Sequence, residues 1–276
     1  MRDAPAGDVR AITTADGARL EYEVLGDGPP LVMLHGLLAS RFAFSRQRPA
    51  FAGHFRLFLI SARGHDGSHN RQPPQYGVGS SDVDDLRAVL DAEGLDRVDL
   101  FAHSSGGATA FVFARHHPNR VGRAVLIEPT LLGVLPPADR AVTMAGFAAV
   151  VAAAKNGPEA GLRAIMGFLA GAAWTNLSSE QQAQRLQAFA ACAPLAGPHM
   201  QGLIDLPVAD ADILALQPPS LFLYGAASFP FEAIIAQQIR RLRPDTRVIT
   251  IARAGHNVHR DGAETVNQET LTFLTR

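Results

Sequence analysis

A single cysteine, Cys192, stands in the 276 residues of this chain. No disulfide can form within it, a cysteine-based metal cluster is excluded, and a lone thiol fits a reducing compartment. No stretch is dominated by one sign of charge: 25 basic and 26 acidic residues are spread evenly, for a formal net charge of −1. Without a basic stripe, neither nucleic acid nor an anionic membrane is an expected partner. Long apolar runs are missing too. The longest, residues 141–154, falls short of the ~20 residues that span a bilayer. The opening Met1-Arg2-Asp3-Ala4-Pro5 lacks the apolar core of a secretory signal. Internal repeats, low-complexity tracts, a zincin-type histidine pair, a phosphate loop and a dinucleotide fingerprint are all absent from the sequence. These absences lead us to expect a soluble, cytoplasmic protein with no metal and no cofactor. Its expected partner is a small-molecule substrate, and a homodimer is compatible with the composition.

What is present is an alternation of short apolar segments with helical ones. Residues 19–25 read as an early strand that pairs with 11–14 around the Asp16-Gly17 turn. Residues 31–34, 57–60, 98–101, 124–127, 221–224 and 248–251 read as further strands. Residues 81–93 have an amphipathic helical pattern, with Ser81 and Asp84 spaced as a capping box and Gly94 as the stop. Fully apolar strands separated by helices imply an α/β protein with a mostly parallel sheet covered on both faces. Residues 131–216 break the alternation. They are rich in alanine, leucine and glutamine, and are interrupted by Asn156-Gly157-Pro158, Pro194 and Pro198. They read as a helical cap inserted into a core of residues 1–130 and 217–276.

The most informative stretch is Leu100-Phe101-Ala102-His103-Ser104-Ser105-Gly106-Gly107. An apolar strand meets a small residue, then serine, then two glycines, then a helix-forming segment. A serine hydroxyl becomes a useful nucleophile only when a tight strand-to-helix turn lifts it from the chain and aims it. The same turn sets the Ser105 N–H at a helix start, where it can face a developing oxyanion. The competing reading is a glycine-rich turn in which serine merely caps the helix.

In a parallel sheet the ligand site lies beyond the carboxyl ends of the strands. Four such ends carry reactive side chains: His35-Gly36-Leu37, Ser104, Glu128 and His256. A base at His256, after Gly255, can reach Ser104 and take its proton, with His259 as the fallback. His35 and His103 read as braces for their loops, and His116 and His117 as helix-end residues suited to the dipole.

The motifs His35-Gly36, Arg63-Gly64-His65, Ala102-His103-Ser104-Ser105-Gly106-Gly107 and Gly255-His256 resemble those of the α/β-hydrolase superfamily. They fall in the superfamily's order and cover nearly all of the chain outside the cap. The resemblance implies an eight-stranded, mostly parallel sheet and a catalytic triad. It also implies an oxyanion hole formed by the backbone N–H groups of Leu37 and Ser105. In most members the triad acid is an aspartate three residues after the glycine that ends the penultimate strand. Here that slot holds Ser228, which carries no charge. Some members place the acid after the strand that follows the nucleophile helix. Zearalenone-type lactonases and 2-(acetamidomethylene)succinate hydrolases are two similar branches, and the corresponding residue here is Glu128. Glu232 is the rival acid, and Asp261 is expected to cap the last helix.

The implied activity is a serine hydrolase acting on a carboxylic ester or lactone, with catalytic Ser104, His256 and Glu128. Carbon–carbon and amide hydrolysis are the alternatives within enzymes. The missing acid at residue 228 keeps a weakly hydrolytic ligand receptor open. The cap is strongly apolar, which favours an uncharged, hydrophobic substrate. Arg140, Arg163 and Arg185 each fit an exposed helix face. Substrate contacts are expected from Leu38, His103, Met144, Met166, Trp174, Ser228 and Phe229.

Overall fold

The computed structural model describes residues 7–68, 77–78 and 80–276; residues 1–5, read above for a signal sequence, lie outside them. Strands β1 (Asp8–Thr13) and β2 (Arg19–Leu25) form an antiparallel hairpin. Six more strands complete the sheet: β3 (Pro30–Leu34), β4 (Arg56–Ile60), β5 (Val98–His103), β6 (Val121–Ile127), β7 (Ser220–Gly225) and β8 (Arg247–Ile251). The eight-stranded order is β1-β2-β4-β3-β5-β6-β7-β8. β2 meets β4 antiparallel, and every pairing from β4 to β8 is parallel. This is the mostly parallel sheet that the apolar strands imply.

The two faces of the sheet are separated by the period-two alternation of each strand. Val32, Leu34, Phe58, Ile60, Leu100, Ala102 and Leu126 pack on one side. Leu31, Met33, Leu57, Leu59, Phe101, Val125 and Ile127 pack on the other. Helices α1 (Arg48–Phe51), α2 (Ser81–Ala92) and α3 (Ser104–His116) fall in the first part of the chain. Between β6 and β7 come α4 (Pro137–Ala154), α5 (Pro158–Ala170), α6 (Ala172–Thr175), α7 (Ser179–Ala188), α8 (Ala196–Asp205) and α9 (Asp210–Leu214), with no strand among them. α4 packs against both α5 and α8. The chain ends with α10 (Pro230–Leu242), α11 (Val258–Asp261) and α12 (Ala263–Leu274). No described helix is long and apolar enough to cross a membrane.

Two local expectations are corrected. Ser81 is the first residue of α2 rather than its cap, and its hydroxyl accepts the Gly77 N–H over 3.0 Å instead of joining Asp84 in a capping box. Asp261 does not cap α12. It closes α11, and its Oδ2 accepts the Gly255 N–H over 2.9 Å, bracing the loop that carries His256. The loop after β4 is held by Arg63. Its guanidinium donates twice to Asp85 on α2, at 2.6 Å each, and also to Asp16 in the β1–β2 turn.

Candidate active site

Ser104 sits where β5 turns into α3, with φ of +56°. Five described non-glycine residues have positive φ, and four of them, Leu38, Asp66, Ser104 and Glu128, are at this site. Such backbone costs about 1–3 kcal/mol per residue and persists only where the surroundings enforce it. Around Ser104, glycines permit the close packing that holds the turn. A Cβ on Gly106 would lie 2.4 Å from the His35 carbonyl oxygen, and one on Gly36 would lie 2.9 Å from Ser104 Cβ. The His35 loop is therefore pressed directly onto the turn.

His256 arrives from the loop between β8 and α11. Ser104 Oγ–H donates to His256 Nε2 over 3.0 Å, and His256 Nδ1–H donates to Glu128 Oε2 over 2.5 Å. The carboxylate fixes the ring proton on Nδ1 and leaves Nε2 free to accept from serine. Glu128 is fully buried, and both of its oxygens are held. Oε1 accepts the Gly225 N–H over 2.7 Å, and Oε2 accepts the Ser228 hydroxyl over 2.6 Å. Ser228, expected at the substrate, instead supports this acid and does not line the cavity described below.

The ring of His103 is buried, and its Nε2–H donates to the His256 carbonyl over 2.8 Å. Burial and the neighbouring His259 and His256 hold its pKa well below the ordinary histidine range, so it is neutral. His35 acts likewise on its own loop. Its Nε2 accepts the Ala62 N–H over 3.1 Å, and burial together with His65 lowers its pKa to about 3. His259 is a buried residue of α11, lowered to about 3 chiefly by burial, and the histidine that contacts the serine hydroxyl is His256. The Leu37 N–H, expected at an oxyanion, donates to Ser105 Oγ over 3.0 Å. An oxyanion bound there would share or displace that contact.

A cavity of about 850 Å³ opens over Ser104. Leu37, Leu38, His103, Ser105, Met166, Phe229 and His256 line it, together with Thr130 and with Phe147, Phe168, Phe189 and Met200 from the segment between β6 and β7. Met144 and Trp174, expected at the substrate, do not line it. Met144 packs on the core, and Trp174 is buried against the position of Gly167 on α5. Phe231 was missed by sequence reasoning; the spacing of Phe229 and Phe231 around Pro230 is the signal that was available. The two rings stack 5.4 Å apart, and Phe229 also lies 4.9 Å from the His256 ring. Phe147 on α4 and Phe168 on α5 extend this aromatic cluster. Cys192 lines the same cavity, where burial raises its thiol to about 11 and keeps it protonated.

Glu232, the rival acid, is close but does not contact the imidazole by a hydrogen bond. It is fully buried, and neither carboxyl oxygen has a hydrogen-bond partner among the described residues. Burial, then the negative charge of Glu128, push its pKa well above the carboxylate range. Glu128, Glu232 and His256 form the one group among the described residues with three metal-capable atoms close together, all within 4.8 Å of one another. Glu128 and His256 of that group are already engaged with each other and with Ser104.

A strand-to-helix serine, an imidazole and a buried carboxylate at the carboxyl edge of a parallel sheet define the hydrolase class of α/β proteins. The chain belongs to the alpha/beta hydrolase fold family, whose pattern matches residues 29–263. It is 28% identical to the sn-1-specific diacylglycerol lipase of Mus musculus, over 92% of this chain and 85% of the relative. Among solved structures it resembles a hydrolase from Pseudomonas aeruginosa (TM-score 0.76, 23% identity, 99% of this chain and 100% of that one). It also resembles E-2-(acetamidomethylene)succinate hydrolase (TM-score 0.71, 19% identity, 98% of this chain and 100% of that one).

Proposed function

We propose that this protein is a serine hydrolase that cleaves a carboxylic ester or lactone of an apolar small molecule. The observation that carries this reading is the imidazole of His256, bonded to Ser104 on one side and to the buried Glu128 on the other. His256 Nε2 takes the serine proton as Oγ attacks the carbonyl carbon. The backbone N–H groups of Ser105 and Leu37 hold the oxyanion, each such donor being worth about 3 kcal/mol in the transition state. Glu128 keeps the ring in the reactive tautomer and balances the imidazolium. His256 then protonates the leaving oxygen and activates water against the acyl-enzyme. Residues 131–216 act as a cap whose phenylalanines favour an uncharged acyl or alcohol group. The cavity is large enough for a drug-sized ligand.

The test combines a fluorophosphonate probe with turnover of p-nitrophenyl esters and a panel of lactones. Labelling confined to Ser104, together with loss of turnover in Ser104→Ala, is the expected result. An unlabelled protein that binds esters without hydrolysing them would favour a receptor instead. One observation favours a second reading, hydrolysis of a carboxylate-bearing substrate at a carbon–carbon or amide bond. Arg185 and Arg260 line the cavity, and neither has a carboxylate partner among the described residues. A preference for anionic substrates over neutral esters, lost in Arg185→Ala, would establish that alternative.

A further inference from the structure

Glu232 has no role in the mechanism above, yet its placement is demanding. It lies in the first turn of α10 and is fully buried. Both carboxyl oxygens lack a hydrogen-bond partner among the described residues, as does the buried hydroxyl of Tyr224 on β7. A buried polar group without a partner is destabilising, and an apolar side chain of similar size would fill the space with less penalty. Packing alone therefore gives no reason for a carboxyl here. Its position does. One Glu232 oxygen is within 4.8 Å of both a Glu128 oxygen and a ring nitrogen of His256.

We infer that Glu232 is a reserve carboxyl for His256. It is a positioning residue that remains protonated while Glu128 carries the negative charge, and it ionises more readily once that charge is removed. The inference rests on the reading of Ser104, His256 and Glu128 as the catalytic set. The groups facing Glu232 are Glu128 at the end of β6, Tyr224 on β7 and His256 on the loop after β8, with Arg240 of α10 acting on Tyr224. Two causes oppose ionisation of Glu232, burial and the charge of Glu128. Replacing Glu128 by glutamine abolishes the second. Burial still opposes ionisation, so Glu232 ionises only as pH rises further, and the resulting carboxylate stands within reach of the imidazolium formed during serine attack.

The experiment is a double-mutant cycle on the full chain, with p-nitrophenyl ester turnover measured from about pH 5 to 10. It uses wild type, Glu128→Gln, Glu232→Gln and the double variant, with folding checked by circular dichroism. Glu232→Gln should lower kcat at least roughly tenfold more in the Glu128→Gln background than in wild type. Glu128→Gln alone should gain a rise in rate with pH as Glu232 ionises. The double variant should lack that rise and fall about 10⁴ below wild type, the loss typical when an orienting acid becomes an amide. Equal losses in the two backgrounds, or identical pH profiles for Glu128→Gln and the double variant, overturn the inference. Glu128→Ala gives the same comparison if Glu128→Gln does not fold. Ser104→Ala is measured alongside. Turnover retained there would overturn the catalytic reading itself, whereas an inactive Ser104→Ala with an additive cycle overturns only the role of Glu232.

Discussion

Burial of an unpaired carboxyl ties the stability of this protein to pH at one residue. The pKa of Glu232 is raised in the folded state, so the unfolded chain ionises first as pH rises. Stability from this residue is therefore highest below the ordinary glutamate range and falls as pH climbs above it, by about 1.4 kcal/mol for each unit of difference. Glu232→Gln should raise the melting temperature, with a larger gain at pH 8 than at pH 5 in scanning calorimetry; equal gains would count against a neutral Glu232. Ser104 and His256 are legible at this scale because a serine turn and a glycine–histidine after the last strand are local patterns. Glu128 is not local in that sense. It emerges only once the family's usual slot is seen to hold Ser228, and the hydroxyl of Ser228 then proves to bond that same carboxylate.

Individual elements are joined by contacts that the sequence does not spell out. α2 is fixed to the β4 loop through Arg63, whose side chain is 5% exposed against 8% for Asp85. Arg63→Ala leaves the Asp85 charge buried and should destabilise the fold by about 3–5 kcal/mol in urea unfolding. Gly106→Ala drives a methyl into backbone oxygens of β3 and its loop. That change should cost about 1–3 kcal/mol by the same measurement, together with loss of the reactive turn. The central strands β3, β4, β6 and β7 were readable because each buries two faces and so carries an unbroken apolar run. The phase of the helices between β6 and β7 was not. α4 is alanine-rich and apolar on most sides, so periodicity gives no single inward face. This is why Met144 on α4 reads as a substrate contact; Phe231 lies on α10, outside these helices, and reaches the cavity beside Phe229, on which it stacks.

At the scale of the whole molecule, the sheet edge and the helices between β6 and β7 enclose one aromatic-lined cavity. Phe168 on α5 stacks on Phe229, whose ring lies against His256. Phe168→Ala should shift selectivity toward longer acyl chains. The ratio of kcat/KM for long over short p-nitrophenyl esters is expected to rise by roughly tenfold; an unchanged ratio would place the acyl group elsewhere. The fold class and sheet are legible from alternation alone, whereas the cavity is a property of assembly. The Glu128 carboxylate is gripped from three neighbouring places at once, by Gly225, by Ser228 and by His256. A carboxyl moored to successive strands in this way works as a strain gauge. Slippage along that side of the sheet, by heat, denaturant or a distant mutation, will silence turnover while most of the scaffold is still standing.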